Sequence, residues 1–363
     1  MREFVPPRFG PAAQRVASLG FTRAAGVAAG IKPSGNPDVG LVVFDQPVSV
    51  AGVFTRNAYA APPVTLSREH LERSGGVARA LCVSSGNANA CTGERGLADA
   101  RAMASLVAEL VGAPVEQVLV CSTGVIGRPL PMDLVTSGIR RAFDQLASGD
   151  AASDAFGAAM RTTDAFPKEA SATFDVGGES YEVAGVAKGA GMIAPNMATM
   201  LAFAMTDHAV APAALRGLLG DVARESFNSV HVDSHASTND TFLLFAKLGD
   251  AASPPEELRS ATLAVAKRLA WLIARDGEGA RCVTEVRVTG SHPREELEKV
   301  ARTIVRSALV RTAIFGCDPN WGRIVSAAGN SGVSFDASAL TCSIQGTRVF
   351  CGTPTPFDER ALS

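Results

Sequence analysis

The sequence has no block of Lys or Arg residues, and its 34 basic side chains are balanced by 36 acidic ones, a net charge of −2 over 363 residues. Nucleic-acid phosphates are neutralised by a basic face, so this balance argues against a DNA- or RNA-binding protein. No stretch approaches the roughly 18 uninterrupted apolar residues of a membrane helix. The N-terminus, MREFVPPRFG, has charge and proline where a secretory signal needs an apolar run. We therefore predict a soluble, cytoplasmic protein without nucleic-acid or membrane partners.

Metal-finger and triad motifs are also missing. The seven cysteines contain no C-x-x-C, and the five histidines never pair with them at the spacing of a zinc site. Seven cysteines cannot all pair within one chain, which favours reduced thiols in a cytosol. There is no G-x-S-x-G, and His70, His208 and His292 stand in contexts typical of a surface. The sequence therefore offers no convincing Ser-His-Asp set.

The residues that are present predict a compact α+β protein. Apolar residues make up 47% of the chain and charged residues 19%, a composition typical of globular proteins. At roughly 150 residues per domain the length indicates two or three structural units. Hairpins and meanders interspersed with helices favour α+β over strictly alternating units. We predict hairpins over 39–56 and 172–187, strands over 79–85, 117–124, 241–247, 282–289 and 340–350, and helices over 97–110, 131–146, 212–227, 254–275 and 293–309.

The segment Lys188–Leu201, KGAGMIAPNMATML, has the most unusual composition. It follows a predicted strand and contains G-x-G-x-x-A, so a dinucleotide-binding turn is one interpretation. Pro195 argues against it, because a proline inside the phosphate-binding helix costs roughly 3 kcal/mol. A second interpretation is a Gly-rich loop closed by Thr199 as a helix N-cap.

A third interpretation makes Thr199 a nucleophile that first cuts its own chain. Its hydroxyl attacks the carbonyl of Ala198, the acyl group shifts to an ester, and water releases it. Thr199 then carries a free α-amine, which titrates at roughly 7.7–8.0 and can serve as general base for its own hydroxyl. No histidine is required. The residue types alone leave the cap and the nucleophile as equal alternatives.

Eight segments stand in a fixed order along the chain: AAGVAAGIKPSGNPD, SSGNANACTGERG, STGVIGRPLPM, MRTTDAFPKE, KGAGMIAPNMATML, STNDT, DGEGA and GCDPNWGRI. In these segments and their order the sequence resembles the ornithine acetyltransferase (glutamate N-acetyltransferase) family of arginine biosynthesis, of the bifunctional type that is also an N-acetylglutamate synthase. The resemblance covers most of the chain.

The resemblance implies cleavage between Ala198 and Thr199 into an α chain, 1–198, and a β chain, 199–363. The implied fold is a layered αββα sandwich of the N-terminal-nucleophile type shared with aminopeptidases, with a smaller C-terminal α/β unit in the β chain. Two α and two β chains would form a heterotetramer. The implied reaction moves acetyl from N2-acetylornithine to L-glutamate through an acetyl ester on Thr199, with no cofactor or metal. Whether acetyl-CoA also donates stays open.

Carried over by position, Thr123 and Gly124 match the family's oxyanion hole. A strand that ends in a tight turn of small residues can aim N–H groups and a hydroxyl at a developing negative charge, although an ordinary strand-end turn is the alternative. Lys188 suits a substrate α-carboxylate and Glu278 an ammonium, while both residue types are more commonly solvated. Besides the nucleophile Thr199, the positions that match substrate-binding residues are Thr162, Lys188 and Glu278.

Two features depart from the family pattern. Ser234, His235 and Ala236 replace part of an acidic loop ahead of STND, and we expect His235 to lie in solvent. Family chains continue into a strand-rich tail whose last Asn and Thr reach the substrate, whereas this sequence stops at ERALS, so we expect weak binding of acetylornithine. SSGNANACTG stays unassigned, and GCDPNWGRI is interpreted as structural, with an Asp-Pro-Asn turn and a packed Trp321.

Two other functions remain open at this point. One is a related N-terminal-nucleophile amidase or aminopeptidase, in which water replaces glutamate as the acceptor. The other is a processing-competent but catalytically silent paralogue that acts as a binding module.

Overall fold

The computed structural model describes residues 14–193 and 200–362, and these divide into two compact units. The larger unit comprises the described residues up to Ala280, and the smaller unit begins at Arg281. Within the described residues, no helix combines the length and the apolar character needed to cross a membrane.

The larger unit contains strands and helices in mixed order, as expected for an α+β chain. Its strands are β1 Thr22–Val27, β2 Val39–Phe54, β3 Val77–Asn87, β4 Val118–Val125, β5 Lys168–Val176, β6 Glu179–Lys188, β7 Leu201–Val210 and β8 Thr241–Leu248. Its α-helices are α1 Pro62–Arg73, α2 Gly93–Val111, α3 Met132–Asp144, α4 Asp150–Met160, α5 Pro212–Glu225 and α6 Glu256–Arg275.

The strands form one mixed sheet in the order β4-β3-β2-β8-β7-β6-β5, with β1 also paired to β2. Strand β2 joins two halves of this sheet. Residues 39–44 of β2 pair with β1, and residues 48–54 pair with β8. The register between β2 and β3 shifts between Val43 and Val48, where Pro47 lacks the N–H that a regular ladder would use.

The alternation of apolar side chains along the strands builds three cores. Leu81, Leu119, Phe203 and Phe245 belong to an inner core that both halves of the sheet share with α4. The neighbouring strand positions face outward: those of β1–β4 pack under α1–α3, and those of β5–β8 pack under α5 and α6. Helix, sheet, sheet and helix thus lie in four layers. The α+β class and the αββα layering predicted from the sequence are confirmed.

The smaller unit has its own core, formed by Val300, Ile304, Val310, Ala327 and Ala328. Its elements are α7 Arg294–Arg306, α8 Ala308–Phe315, α9 Trp321–Gly329, β9 Thr341–Ile344, β10 Thr347–Cys351, β11 Thr353–Pro354 and α10 Glu359–Leu362. In the GCDPNWGRI segment, predicted to be structural, Asn320 caps α9, and Trp321 stacks on Phe350 with ring centroids 5.1 Å apart.

Three of the predicted strand regions are wrong in detail. The expected hairpin over 39–56 is the single strand β2, because its two ends pair with different neighbours instead of with each other. The expected strand over 282–289 is irregular and has no strand partner among the described residues. The expected strand over 340–350 is the hairpin of β9 and β10, which turns at Gln345 and Gly346, both with positive φ.

Candidate functional site

The turn predicted as an oxyanion hole, here called the oxyanion turn, lies at the end of β4. Thr123 is buried, and Gly124 has a φ of +132°. A Cβ at position 124 would lie 2.3 Å from the carbonyl carbon of Gly86 in the neighbouring strand β3. Only glycine therefore lets the two strands approach this closely while the backbone turns. The strand end presents Thr123 and a backbone without a side chain.

Lys188 lies at the end of β6 with its side chain buried against this turn. Its Nζ donates a hydrogen bond to Thr123 Oγ1 at 3.2 Å. Because an ammonium group only donates, Thr123 accepts from Lys188 and keeps its own hydroxyl proton for another acceptor. Burial lowers the pKa of Lys188, and the carboxylate of Asp164 opposes that effect. The pair can place a hydroxyl donor and a positive charge at one developing anion.

A network of buried charges lies next to Lys188 and to the turn that follows it. Lys168 Nζ lies 2.6 Å from Asp164 Oδ1 and 2.6 Å from Asp276 Oδ2. Asp164 Oδ1 also accepts the N–H of Gly189 at 2.7 Å. Although burial would raise the pKa of Asp164, the charges of Lys188 and Lys168 outweigh it and hold that pKa below its ordinary value. This network fixes the start of the Gly-rich turn that follows Lys188.

The other two predicted substrate residues lie around the same turn. The Thr162 N–H donates to Asp164 Oδ2 at 3.1 Å. Glu278 is exposed, donates its N–H to the Ala190 carbonyl at 2.9 Å, and accepts from the hydroxyl of Thr163, the neighbour of Thr162, at 2.9 Å. The structure therefore brings Thr123, Gly124, Thr162, Lys188 and Glu278 into one region, connected through Asp164 and the turn 188–191.

The predicted nucleophile Thr199 and its neighbour Ala198 belong to residues 194–199, which lie outside the described residues. The described residue that follows them, Met200, is held at both backbone groups. Its N–H donates to Asp240 Oδ1 at 3.1 Å, and its carbonyl accepts from the Thr241 N–H at 3.1 Å. On the other side, the Ile193 carbonyl accepts the N–H of Val232 at 2.7 Å.

The STNDT segment contains two site residues that sequence reasoning missed. Asn239 is buried and donates from Nδ2 to the carbonyls of Ala88 and Ser122, at 2.7 and 2.8 Å. It thereby ties the start of β8 to the SSGNANACTG loop and to the residue before Thr123. Asp240 is fully buried, and its Oδ2 has no hydrogen-bond partner among the described residues. Burial raises the pKa of Asp240 well above its ordinary value.

Two of the histidine predictions have clear outcomes. His70 is buried rather than at the surface, because its Nδ1 lies 2.8 Å from the Val118 carbonyl and so fastens α1 to β4. His235 is in solvent, as predicted, with 78% of its side chain exposed. Neither histidine is among the residues that surround Thr123.

Comparison of the chain with models of known protein families identifies its family. A model of the ArgJ family matches residues 23–363. This chain belongs to the ArgJ family. Two relatives named as the arginine biosynthesis bifunctional protein ArgJ are each 45% identical to this chain. The match to the protein of Rhodopirellula baltica covers 98% of this chain and 88% of the relative, and the match to that of Symbiobacterium thermophilum covers 96% and 88%.

Among solved structures, the chain is similar to an ornithine acetyltransferase of Mycobacterium tuberculosis in complex with ornithine. The two are 38% identical, with 52% of this chain and 96% of that chain covered and a TM-score of 0.46.

ArgJ membership confirms the resemblance stated from the sequence motifs. The chain is a bifunctional ornithine acetyltransferase of arginine biosynthesis with the fold of that family. The individual residue roles within that activity do not follow from membership and are argued below.

Proposed function

We propose that this chain cuts itself between Ala198 and Thr199 and then moves acetyl from N2-acetylornithine to L-glutamate through an ester on Thr199. The observation that carries the proposal is the contact of the buried Lys188 amine with the Thr123 hydroxyl beside Gly124. A buried cation and a donor hydroxyl at a glycine turn suit the oxyanion of acyl transfer. Met200, the residue after Thr199, is anchored by the hydrogen bond from its N–H to Asp240, directly before β8.

In the cleavage step, Thr199 Oγ attacks the Ala198 carbonyl carbon. The C–N bond breaks as the ester forms, and the hydroxyl proton ends on the freed nitrogen. Water then hydrolyses the ester, which releases the Ala198 carboxylate and restores the hydroxyl. The products are residues 1–198 and 199–363, which we propose assemble as two α and two β chains.

In the first half-reaction the α-amine of Thr199 takes the hydroxyl proton while Oγ attacks the acetyl carbonyl carbon. Thr123 and the Gly124 N–H stabilise the oxyanion. The C–N bond to ornithine breaks, its nitrogen receives the proton, and ornithine leaves. In the second half-reaction the glutamate amine attacks the ester, its proton passes through the α-amine to Oγ, and N-acetylglutamate leaves. With acetyl-CoA as donor, as befits a bifunctional enzyme, the same ester would form with release of the thiol.

Intact-mass measurement tests this proposal. Purified protein should show fragments of 198 and 165 residues, the latter being 363 minus 198, and acetylornithine alone should add one acetyl group to the 165-residue fragment. Initial rates should give the parallel double-reciprocal lines of a ping-pong mechanism. The variant Thr199→Ala should remain one chain, because it lacks the attacking hydroxyl.

Other outcomes distinguish the alternative functions. An uncut wild-type chain with full activity would contradict the cleavage, and intersecting lines without an acetylated fragment would indicate direct transfer. Acetate release without acetylglutamate would indicate an amidase. Acetylornithine binding without any acetylated fragment would indicate a silent binding module.

A further inference from the structure

The loop between β1 and β2 is fixed beside the oxyanion turn by a buried carboxylate. Asp38 accepts hydrogen bonds from four successive backbone N–H groups, those of residues 29–32, at 2.6–3.0 Å. The Asp38 carbonyl accepts the N–H of Ser85 in β3 at 2.8 Å. Because these bonds use backbone donors, the loop keeps its path whatever side chain stands at position 32.

Lys32 extends from this loop over the glycines of β3 and β4. A Cβ at Gly86 would lie 3.0 Å from Lys32 Cγ, and Gly86 pairs directly with Gly124. Lys32 Nζ donates to the Pro37 carbonyl at 2.5 Å. An ammonium has three donors, so this half-buried group can still bind an anion at the edge of the oxyanion turn.

Arg161 follows the last residue of α4 and directly precedes Thr162, whose N–H donates to Asp164 at the candidate site. The charge of Arg161, like that of Lys188, lowers the pKa of Lys32. Within the described residues, neither Lys32 nor Arg161 forms an ion pair, whereas Lys168 nearby is held by two carboxylates. In the described part of the chain no close ion pair therefore occupies either cation, although Asp38 and Asp164 attract Lys32.

The two substrates of the proposed reaction carry side chains of opposite charge. The donor carries a side-chain ammonium and the acceptor a side-chain carboxylate, yet both must reach the same ester. Glu278 suits the ammonium. It would repel the acceptor's carboxylate, because like charges at close range disfavour binding. A single site thus needs a separate cationic subsite for the second substrate.

Resting on the proposed function, we propose that Lys32 and Arg161 bind the γ-carboxylate of glutamate and so select the acceptor. Glu278 then serves the ornithine side chain, and the two substrates point their side chains at different groups. Carboxylate recognition by Lys and Arg is charge-assisted, and the loss of one such partner weakens binding without touching the bond-breaking groups.

The kinetic test compares Lys32→Met and Arg161→Gln with Lys267→Met, a control on the exposed face of α6. Methionine keeps the stem that packs over Gly86. We expect the KM for glutamate to rise by roughly 10-fold or more in the first two variants. Self-cleavage and the rate of acetyl-fragment formation from acetylornithine should stay as in wild type. Equal losses in both half-reactions, or an unchanged KM for glutamate, would overturn the subsite.

Substrate variation and calorimetry separate this proposal from the proposed function. Wild type should bind glutamate more tightly than glutamine, its γ-amide, and Lys32→Met should remove most of that preference. A preference that survives both substitutions overturns the subsite. If wild type forms no acetyl ester while Lys32→Met still abolishes the glutamate preference, the proposed function fails and the subsite stands.

The pH dependence gives a readout that a structural role for Lys32 would not move. Burial, aided by the charges of Arg161 and Lys188 and opposed by those of Asp38 and Asp164, lowers the pKa of Lys32 to about 8. Lys32 is charged below that pH, so the glutamate preference should weaken as pH rises through about 8. Lys32→Arg, which stays charged, should retain the preference there, and a decline of the same size in Lys32→Arg would contradict the assignment.

Discussion

At the residue scale, Thr123 gains its chemistry from the buried amine beside it. A threonine hydroxyl has one proton and two lone pairs. Since Lys188 Nζ occupies a lone pair at 3.2 Å, the hydroxyl proton is left for another acceptor, which in the proposed reaction is the oxyanion. A serine at this position would preserve the arrangement, and an alanine would remove both the donor and the acceptor of Lys188.

Thr123→Ala should therefore lower kcat by roughly 10² or more, because a lost oxyanion donor weakens binding of the transition state more than of the substrate. Thr123→Ser should restore most of the rate. Steady-state kinetics with acetylornithine and glutamate measure both. If the Thr123→Ala variant kept the wild-type kcat, the assignment of Thr123 to the oxyanion hole would be wrong.

The site residues differ in how far the sequence could predict them. Thr123, Gly124 and Lys188 stand in segments with distinctive small-residue patterns, and the family resemblance assigned them roles. Asp164 and Asp240 were missed because an aspartate next to Thr or Asn in a sequence is typical of an exposed turn. Both carboxylates are buried against segments distant in sequence, Asp164 at Gly189 and Asp240 at Met200, and no local pattern encodes these contacts.

At the element scale, β2 shows where local patterns stop being decisive. The apolar residues on both sides of Pro47 are compatible with a hairpin and equally with one bent strand. The choice falls to the partners, since β1 pairs with its first part and β8 pairs with its second. By contrast, the hairpin of β5 and β6 was predictable, because Gly177 and Gly178 with φ of +63° and +87° provide its turn within the local sequence.

The close approach of β3 and β4 gives an element-scale prediction. Gly124→Ala should prevent normal folding of this edge, because its Cβ would lie 2.3 Å from backbone of Gly86 and its φ of +132° is unfavourable for alanine. Gly220→Ala, within α5 and with no atom of the described residues within 4 Å of the new Cβ, should instead stabilise the chain by about 0.5–1 kcal/mol. Thermal unfolding compares the two variants, and a Gly124→Ala midpoint equal to wild type would contradict the packing argument.

At the scale of the whole molecule, the four layers bring chain segments from both sides of the proposed cleavage point to one site. Asn239 and Asp240 belong to the proposed β chain, and they hold Ser122 and Met200 respectively. Hydrogen bonds of this kind do not depend on an intact bond between 198 and 199. The sheet can therefore keep Met200 and the strand end at Thr123 in place if the proposed cleavage occurs.

Asp240 also couples the stability of the molecule to pH. Burial raises its pKa well above the ordinary value, against the opposing hydrogen bond from Met200 and the charge of Lys188. Above the unfolded pKa of roughly 3.9, the folded chain retains a proton that the unfolded chain has lost. The free energy of unfolding should therefore fall as pH rises from that value through the folded pKa.

The substitution Asp240→Asn keeps the shape and an oxygen that can accept the Met200 N–H, but it leaves no proton to lose. Both chains are compared in a Thr199→Ala background, which keeps them in the same covalent state. The unfolding midpoint of the chain that retains Asp240, minus the midpoint of the Asp240→Asn variant, should be smaller at about pH 8 than at about pH 5, because the carboxyl loses its proton on unfolding. The subtraction cancels the titration of every other group that the substitution leaves unchanged. A difference that is constant with pH would mean that Asp240 titrates alike in the folded and unfolded chains, and its burial would then carry no protonation cost.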